Sequence, residues 1–191
     1  MPTLQLESYS ERDKRLPQTG RQIIAQYDRE SIVVYQAYAP AIGHYAATHG
    51  SFGGDHFSFS RMSWIKPSFL WMIYRSGWGT KLGQEVVLAV WMKRIAFDEV
   101  LRQAIPSSYP DSQYAVANDW RRAVQTSDVR VQWDPDRTPN YGSLERRAIQ
   151  LGLRRAALER YAREWINQIE DISDFVATQR AQVYAVRPLP Y

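Results

Sequence analysis

Charged side chains interrupt the most apolar and aromatic stretch of the sequence, residues 57–94. These charged residues are Arg61, Lys66, Arg75, Lys81 and Glu85, and they lie at intervals among four tryptophans. A segment that only packs in a core does not need such charges, because a buried charge is costly unless it is paired or takes part in chemistry. The pattern therefore predicts a site that holds a polar ligand against a stiff aromatic wall. Two residues that precede the stretch, Arg21 and Tyr27, are predicted to border the same site.

The basic residues are nearly all arginines, and this bears on the ligand. The net charge is +4, the isoelectric point is about 9.4, and only four of the 24 basic residues are lysines. Arginine forms bidentate contacts to phosphate and stacks on aromatic rings, which favours a nucleotide or a nucleic acid as partner. The alternative is an arginine-biased codon usage whose charges are balanced by the 20 acidic residues. Net charge alone does not separate these interpretations.

Few residues could support cysteine or metal chemistry. The sequence has no cysteine, which excludes disulfides, a thiolate nucleophile and a cysteine-ligated metal. His44, His49 and His56 are loosely spaced in a glycine-containing region, so they are predicted to be ordinary loop histidines, and no metal is expected. The G-x-S-x-G, Walker, H-E-x-x-H and G-x-G-x-x-G patterns are absent. Their absence argues against a hydrolase elbow, a P-loop, a zincin and a dinucleotide-binding fold.

The length and composition predict one globular domain. With 191 residues and 45% hydrophobic content, the chain is long enough to bury a full core. The longest apolar runs are well short of the ~20 residues that a membrane span needs, and the N-terminus has no apolar signal segment. A cytoplasmic protein without a membrane partner is the expectation.

Two predicted elements position the charged residues of the central stretch. Pro67 suits the first turn of a helix, so residues 67–75 are predicted to form a short buried helix that Gly77 and Gly79 end. The run VVLAVWM at 86–92 is short, β-branched at its start and continuously apolar. These features predict a strand that is buried on both faces and has Glu85 at its mouth.

The flanking segments predict an α+β fold in a single domain, residues 20–191, with a mixed or antiparallel sheet and packed helices. Residues 1–19 are polar and are predicted to form a flexible N-terminal arm. Apolar patterning predicts further strands at 21–28, 31–38, 129–136 and 146–153, and helices at 41–50, 97–102 and around 115–124.

The C-terminal third predicts one amphipathic helix. Its apolar residues recur at spacings of three and four: Leu158, Tyr161, Trp165, Ile169 and Ile172. This spacing places them on one helix face, which is predicted to pack in the core. The basic residues near its start are predicted to lie on a solvated face.

Several runs carry a resemblance to a known family. They are RQIIAQYD at 21–28, VYQAY at 34–38, RMSWIKPSFLWM at 61–72, YRSGW at 74–78, VQWDP at 131–135 and IQLGL at 149–153. These runs are similar to those of the domain of unknown function 4291 family. The resemblance covers roughly residues 18–190 and implies one intact domain, but it implies nothing about chemistry.

A second resemblance does bear on chemistry. Arg21 opens the first predicted strand, Ser58 and Ser60 alternate with phenylalanines, and Glu85 lies at a strand mouth. This order is similar to that of ADP-ribosyltransferases of the Arg–Ser–Glu type, although the spacings here are compressed and Gln84 directly precedes Glu85. The resemblance implies NAD as the cofactor.

The same resemblance implies a role for each of these residues. Arg21 would bind the pyrophosphate, and Ser58 or Ser60 would frame the nicotinamide. Glu85 would stabilise the positive charge that develops as the glycosidic bond breaks. Tyr27, Arg61, Lys66, Arg75 and Lys81 are predicted to contact the substrate or cofactor.

Three function classes are open on this reading. The first is a nucleotide-using transferase that resembles NAD-dependent ADP-ribosyltransferases. The second is a module that binds RNA or single-stranded DNA, with aromatic rings stacking on bases and arginines contacting phosphates. The third is a non-catalytic protein whose tryptophan-rich region is an interface. Strongly salt-dependent binding would distinguish the second class.

Overall fold

The computed structural model describes residues 3–185, which form seven helices and eight strands. The helices are α1 (Tyr9–Arg15), α2 (Pro40–His49), α3 (Phe69–Ser76), α4 (Arg94–Gln103), α5 (Ala117–Thr126), α6 (Arg155–Arg163) and α7 (Ser173–Ala185). The strands are β1 (Arg21–Gln22), β2 (Ser31–Tyr38), β3 (Ser63–Ile65), β4 (Val86–Lys93), β5 (Ile105–Pro106), β6 (Val129–Arg137), β7 (Ser143–Leu153) and β8 (Ile166–Asp171). The predicted α+β class is confirmed.

The strands form two sheets. Sheet A is mixed, with the order β1-β7-β6-β5, and β3 also pairs with β7. Because β6 runs antiparallel along one edge of β7, the short strands β1 and β3 share its other edge. Sheet B is antiparallel, with the order β2-β4-β8.

The main hydrophobic core lies between the two sheets. Sheet B contributes alternate residues such as Val34, Leu88 and Val90, and sheet A contributes Ile149 and Leu151. Helices α4 and α6 complete this core with Phe97, Val100, Leu158 and Tyr161. The opposite face of sheet B packs against α3 and α7 through Met72, Ile73 and Val176. Strand β4 is therefore covered on both faces, as its continuous apolar sequence predicted.

One extended segment, residues 63–66, joins the two sheets. Ile65 is in register with Leu151 of β7 in sheet A. One residue later, Lys66 exchanges two backbone hydrogen bonds with Tyr35 of β2 in sheet B, at 2.7 and 3.2 Å. The backbone of Lys66 is thus fixed by both sheets.

Several local predictions are confirmed, and their physical reasons are visible. Helix α2 begins at Pro40 and ends at Gly50, which has φ +65° and whose amide donates to Ala46 O at 2.9 Å. The predicted short buried helix is α3. It begins after Ser68, whose hydroxyl accepts from the amide of Trp71, and it ends at Gly77, which has φ +59°.

The prediction of one continuous C-terminal helix is wrong. Helix α6 ends at Arg163, strand β8 follows, and the helix that closes the described chain is α7. The five apolar residues are nevertheless all buried, as predicted. A strand forms because β4 would otherwise have an unpaired edge: Ile169 pairs with Val90, and the β-branched isoleucines of β8 suit a sheet. Tertiary pairing therefore overrides the helical spacing.

The N-terminal region is more structured than the sequence indicated. Within the segment predicted to be a flexible arm, Tyr9–Arg15 form α1, and Ser8 accepts a hydrogen bond from the amide of Glu11. The strand predicted at 21–28 is shorter, since only Arg21 and Gln22 pair with β7, in parallel. Tyr27 adds one isolated bridge to Ile32.

Candidate functional site

The face of sheet A that points away from the main core carries a group of polar residues. Side chains alternate along a strand, so the burial of Val129, Leu151 and Ile65 in the core places their neighbours on the opposite face. We call the following set the outer face: Trp64, Lys66, Gln132, Asp134 and Gln150. Gln132 and Gln150 are in register across β6 and β7. Three strands thus bring these residues together from distant parts of the chain.

Asp134 is held by two carboxamides. Gln132 Nε2 donates to its Oδ1 atom at 2.9 Å, and Gln150 Nε2 donates to its Oδ2 atom at 2.7 Å. The carboxylate is therefore oriented. Gln150 keeps its carbonyl oxygen as a further acceptor, whereas Gln132 Oε1 already accepts from Ser107 Oγ at 3.5 Å.

Lys66 is the most unusual residue of the outer face. It is only 5% exposed, and its amine has no hydrogen-bond or ion-pair partner among residues 3–185. The pKa of Lys66 is lowered to about 8, chiefly by burial and then by the charge of the nearby Arg75, while the charge of Asp134 raises it. Arg75 and Asp134 thus place one positive and one negative charge near the amine, and neither forms an ion pair with it. A buried cation in this position favours binding of an anion.

Arg75 and Trp64 border Lys66. Arg75 lies in the last turn of α3, is exposed, and makes no ion pair within the part of the chain that the structure describes. Trp64 is half-buried, and its indole lies against Gly152 of β7. A Cβ atom at residue 152 would be 3.0 Å from the indole and 2.6 Å from Met62 Sδ, so glycine is needed for the ring to lie this close to the strand.

A buried network of polar and charged side chains helps to hold the outer face in place. Ser68 Oγ donates to Asp136 Oδ1 at 2.9 Å, and Asp136 Oδ2 accepts from Arg146 Nε at 2.9 Å. Both charged side chains are at most 1% exposed. Arg146 Nη1 lies 2.8 Å from Asp13 Oδ1 of α1, an ion pair without hydrogen-bond alignment. Burial lowers the pKa of Arg146, but the two carboxylates outweigh it and raise the pKa overall.

The network fixes the segment that carries Lys66. Ser68 follows Lys66 by two residues and is held at once by the first turn of α3 and by Asp136. The start of α3, strand β6 and strand β7 are thereby tied together.

Sequence reasoning missed Asp134, Asp136 and Arg146. Along β6, Gln132, Asp134 and Asp136 alternate with Val131 and Trp133, so the two groups lie on opposite faces of the strand. This period-two pattern was a signal from which the two aspartates could have been predicted.

Glu85 lies in a different place, a cleft of about 460 Å³ between α2, the mouth of β4 and the start of α7. His44, Asp171, Ser173 and Asp174 also line it. Glu85 Oε1 accepts from the amide of Gly83 at 3.0 Å, whereas Oε2 is buried and has no hydrogen-bond partner among the described residues. His44 Nε2 is 3.8 Å from Asp171 Oδ2. The cleft is acidic, and it includes none of the other residues that sequence reasoning assigned to the site.

Arg21 and the serines do not join Glu85. Arg21 pairs with Asp111 at 3.2 Å and lies 5.9 Å from the centre of the Trp133 ring. Ser58 and Ser60 are exposed, bond to each other at 2.9 Å, and lie in turns outside any strand. Arg21 is in register with Arg147, whereas Ser63, which follows the serines, is in register with Leu153. Six residues along a strand span about 20 Å, so Arg21 lies far from the end of β7 where the serine loop meets it.

The remaining predicted residues are dispersed. Tyr27 is 66% exposed and stacks under Arg94, whose guanidinium lies 4.7 Å from the ring centre. Arg61 and Lys81 are exposed in loops. Of the other predicted site residues, Arg75 is the one whose charge acts on Lys66. Within residues 3–185 no group of three or more histidine or acidic side chains is placed to hold a metal ion.

The fold and the outer face define the protein as a single α+β domain with a lysine-centred polar site on a mixed sheet. The chain belongs to the family described as Domain of unknown function (DUF4291), whose family model matches residues 22–187. No curated protein matches the chain. None of the helices between residues 3 and 185 is long and apolar enough to cross a membrane.

Proposed function

We propose that this protein is a nucleotide-using transferase whose nucleotide binds on the outer face, with a phosphate group against Lys66 and Arg75. The observation that carries the proposal is Lys66, a residue only 5% exposed whose amine forms no hydrogen bond or ion pair with the described residues and is influenced by the charges of Arg75 and Asp134. Leaving a buried charge uncompensated destabilises the fold, so a site of this kind is favoured where a ligand supplies the opposite charge. A phosphate group fits, because lysine and arginine are its usual protein partners.

The other residues of the outer face suit the rest of a nucleotide. Trp64 provides a half-buried aromatic surface on which a base can stack. Gln150 uses its amide NH2 group on Asp134, so its carbonyl oxygen can accept a hydrogen bond from a base or a ribose; Gln132 Oε1 accepts from Ser107 Oγ and has one further lone pair. An aromatic ring, two carboxamides and a lysine on one face, with Arg75 of α3 near the lysine, favour a nucleotide over inorganic phosphate alone.

ADP-ribosyl transfer with NAD is a narrower form of this proposal. It requires Arg21, a serine of the 57–60 segment and Glu85 to act on one ligand, and these residues occupy separate places. The broader proposal therefore rests on Lys66 and Arg75. The narrower one has its own test: Glu85→Gln should abolish NAD-dependent transfer while leaving the fold intact, and retained transfer would rule out Glu85 as the catalytic carboxylate.

The test of the broader proposal is a binding titration. The full chain is titrated with ATP, NAD, inorganic phosphate and a short RNA at two salt concentrations, with thermal stability and calorimetry as readouts. We expect ATP or NAD to stabilise the wild type and to bind better than phosphate. Lys66→Met and Arg75→Ala should each weaken this binding at least tenfold.

Lys93→Met and Lys81→Ala are matched controls, because both lysines are exposed and neither lies on the outer face. These variants should bind as the wild type does. Nucleotide binding that survives in Lys66→Met would overturn the proposal. Binding of RNA alone, falling steeply as salt rises, would instead support the nucleic-acid-binding alternative.

A further inference from the structure

We propose that Lys66 is a covalent nucleophile: its amine attacks the α-phosphorus of a nucleoside triphosphate and carries the nucleotide before it is transferred. This inference rests on the proposed function, because it requires a nucleotide on the outer face. It goes further by naming the substrate class, the bond that forms and the atom that forms it.

The first argument is that the Lys66 amine is free to react. A lysine that forms an ion pair keeps its proton, and its nitrogen has no lone pair to donate. Lys66 makes no such contact with any described residue, whereas Lys14 is paired with Glu11 at 2.8 Å. A nucleophilic amine must also be partly neutral, and burial meets this second requirement because it lowers the pKa of Lys66. With a pKa of about 8, about a quarter of Lys66 would be neutral at pH 7.5, against roughly one part in a thousand for an ordinary lysine.

The second argument is that the residue is held in place. Its backbone is fixed on both sides by hydrogen bonds to Tyr35, and Pro67 and the capping residue Ser68 follow directly. Pro67 restricts the backbone of Lys66 to extended conformations. A nucleophile on a fixed backbone loses little further freedom when it reaches the attack geometry. An exposed loop lysine such as Lys81 has no comparable restraint.

The third argument is that groups for the rest of the step lie around Lys66. Arg75 can stabilise the negative charge that develops on the phosphoryl oxygens. Asp134 is oriented by Gln132 and Gln150, and its negative charge raises the pKa of Lys66 without direct contact, so it can take up through a water molecule the proton that the attacking amine loses. Tyr35, the backbone partner of Lys66, is kept protonated because burial raises its pKa to about 12.

The step balances without an oxidant or a reductant. The neutral amine forms an N–P bond to the α-phosphorus, and the bond between the α-phosphorus and the oxygen that bridges to the β-phosphate breaks. Pyrophosphate leaves with the bonding electron pair, and the amine loses one proton to Asp134 or to water. In the second half, the oxygen or nitrogen of an acceptor attacks the same phosphorus, the N–P bond breaks, and the nitrogen regains a proton.

The experiment is adduct mapping on the wild-type chain. The protein is incubated with ATP or GTP and magnesium, and the intact mass and the proteolytic peptides are measured. We expect a mass increase of one nucleoside monophosphate, release of pyrophosphate, and a modification on the peptide that contains Lys66. The adduct should be lost in acid and kept in base, as expected for a phosphoramidate. Lys14, Lys81 and Lys93 are internal controls, since they are exposed and should stay unmodified.

Lys66→Arg separates binding from bond formation. The guanidinium keeps the positive charge but is not a nucleophile, so this variant should still bind ATP yet form no adduct. The wild-type map does not depend on whether any variant folds. Nucleotide binding without an adduct, or an adduct on another residue, would overturn the covalent step and leave the proposed function standing. No nucleotide binding at all would overturn both.

Discussion

At the scale of single residues, Lys66 should make stability depend on pH in an unusual direction. Its pKa is about 8 in the folded chain and about 10.5 in the unfolded chain, so between these values the unfolded chain binds more protons. Stability should then rise with pH across this window. At pH 6 and below, the charge of Lys66 is present almost in full and costs on the order of 3 kcal/mol. Arg75, Asp134 and Tyr35 are the groups that face or pair with Lys66.

Lys66→Met should remove this pH dependence. We expect the variant to be more stable than the wild type at pH 7 and the difference to shrink as pH approaches 10, as measured by urea unfolding in steps of one pH unit. The series stops at pH 10 because the raised pKa of Tyr35, about 12, opposes the trend above that point. Lys93→Met, at an exposed position, should show no such trend. A stability difference that is constant with pH would contradict the prediction.

A second residue-scale prediction concerns a hydrogen-bonded group inside the main core. Tyr161 Oη donates to Gln36 Oε1 at 2.7 Å, and Gln36 Nε2 donates to Ser63 Oγ and to Tyr38 Oη, each at 2.9 Å. Burial raises the pKa of Tyr38 to about 12 and that of Tyr161 well above its usual value. Both phenols therefore stay protonated at any pH at which the protein is handled.

Tyr161→Phe should lower the free energy of unfolding by about 1–3 kcal/mol, because it leaves the buried Gln36 oxygen without a donor. Chemical unfolding followed by tryptophan fluorescence measures this change. Tyr114→Phe is the comparison, since that hydroxyl is not part of the core group. Equal stability of the two variants would show that the hydrogen bond adds little.

At the scale of elements, the packing of α2 on β4 depends on a glycine. Gly43 is buried in α2, and a Cβ atom there would lie 2.4 Å from Val86 Cγ1. Alanine inside a helix normally stabilises it by about 1 kcal/mol relative to glycine, but a contact this short forces the helix away from the sheet.

Gly43→Ala should therefore destabilise the protein, by about 1–3 kcal/mol. Val86→Gly removes Cγ1 together with Cβ, which would lie 2.5 Å from the new atom, so the double variant should lose less than the two single variants together. The coupling from this double-mutant cycle, read from thermal or urea unfolding, is the measurement. Additive losses would mean that α2 shifts without contacting Val86.

The helices and strands also show which parts of the fold local sequence patterns can predict. β2, β4, α2 and α3 were predictable because each has a continuous pattern and a local end signal, such as Pro40, Ser68 or Gly77. β8 was not, because Ile166, Ile169 and Ile172 fit a helical period equally well. What makes β8 a strand is the open edge of β4, which lies about 80 residues earlier in the chain.

At the scale of the whole molecule, an ion pair between Asp13 and the buried Arg146 connects α1 to the domain. No residue of α1 is buried, and Asp13 supplies one of the two carboxylates around Arg146. Removing one partner of a buried cation costs more than breaking a surface pair, because the cation stays in place without compensation.

Asp13→Asn should lower the stability by about 1–2 kcal/mol and should speed amide hydrogen exchange in residues 9–15. Glu11→Gln is the matched control: it breaks the exposed pair with Lys14, which is worth well under 1 kcal/mol. If both variants exchange at the wild-type rate, the Arg146 contact does not hold α1 in place.

The sequence by itself determined the fold class of the protein and the positions of most elements, and it predicted a charged site in the central stretch. Those features follow from local periodicity, turn residues and the cost of burying charge, which act over a few residues. It also pointed to Lys66 and Arg75, but it grouped them with Arg21, Ser58, Ser60 and Glu85. The order of residues along the chain does not show which strand ends lie close together in the fold.

Only the tertiary structure decided which of these residues share a site. The pairing of β7 with β1, β3 and β6 separates Arg21 from the serine loop and places Asp134 and Gln150 on the face that carries Lys66. Register between strands distant in sequence is set by the packing of the whole core. For that reason it could not be read from any one segment.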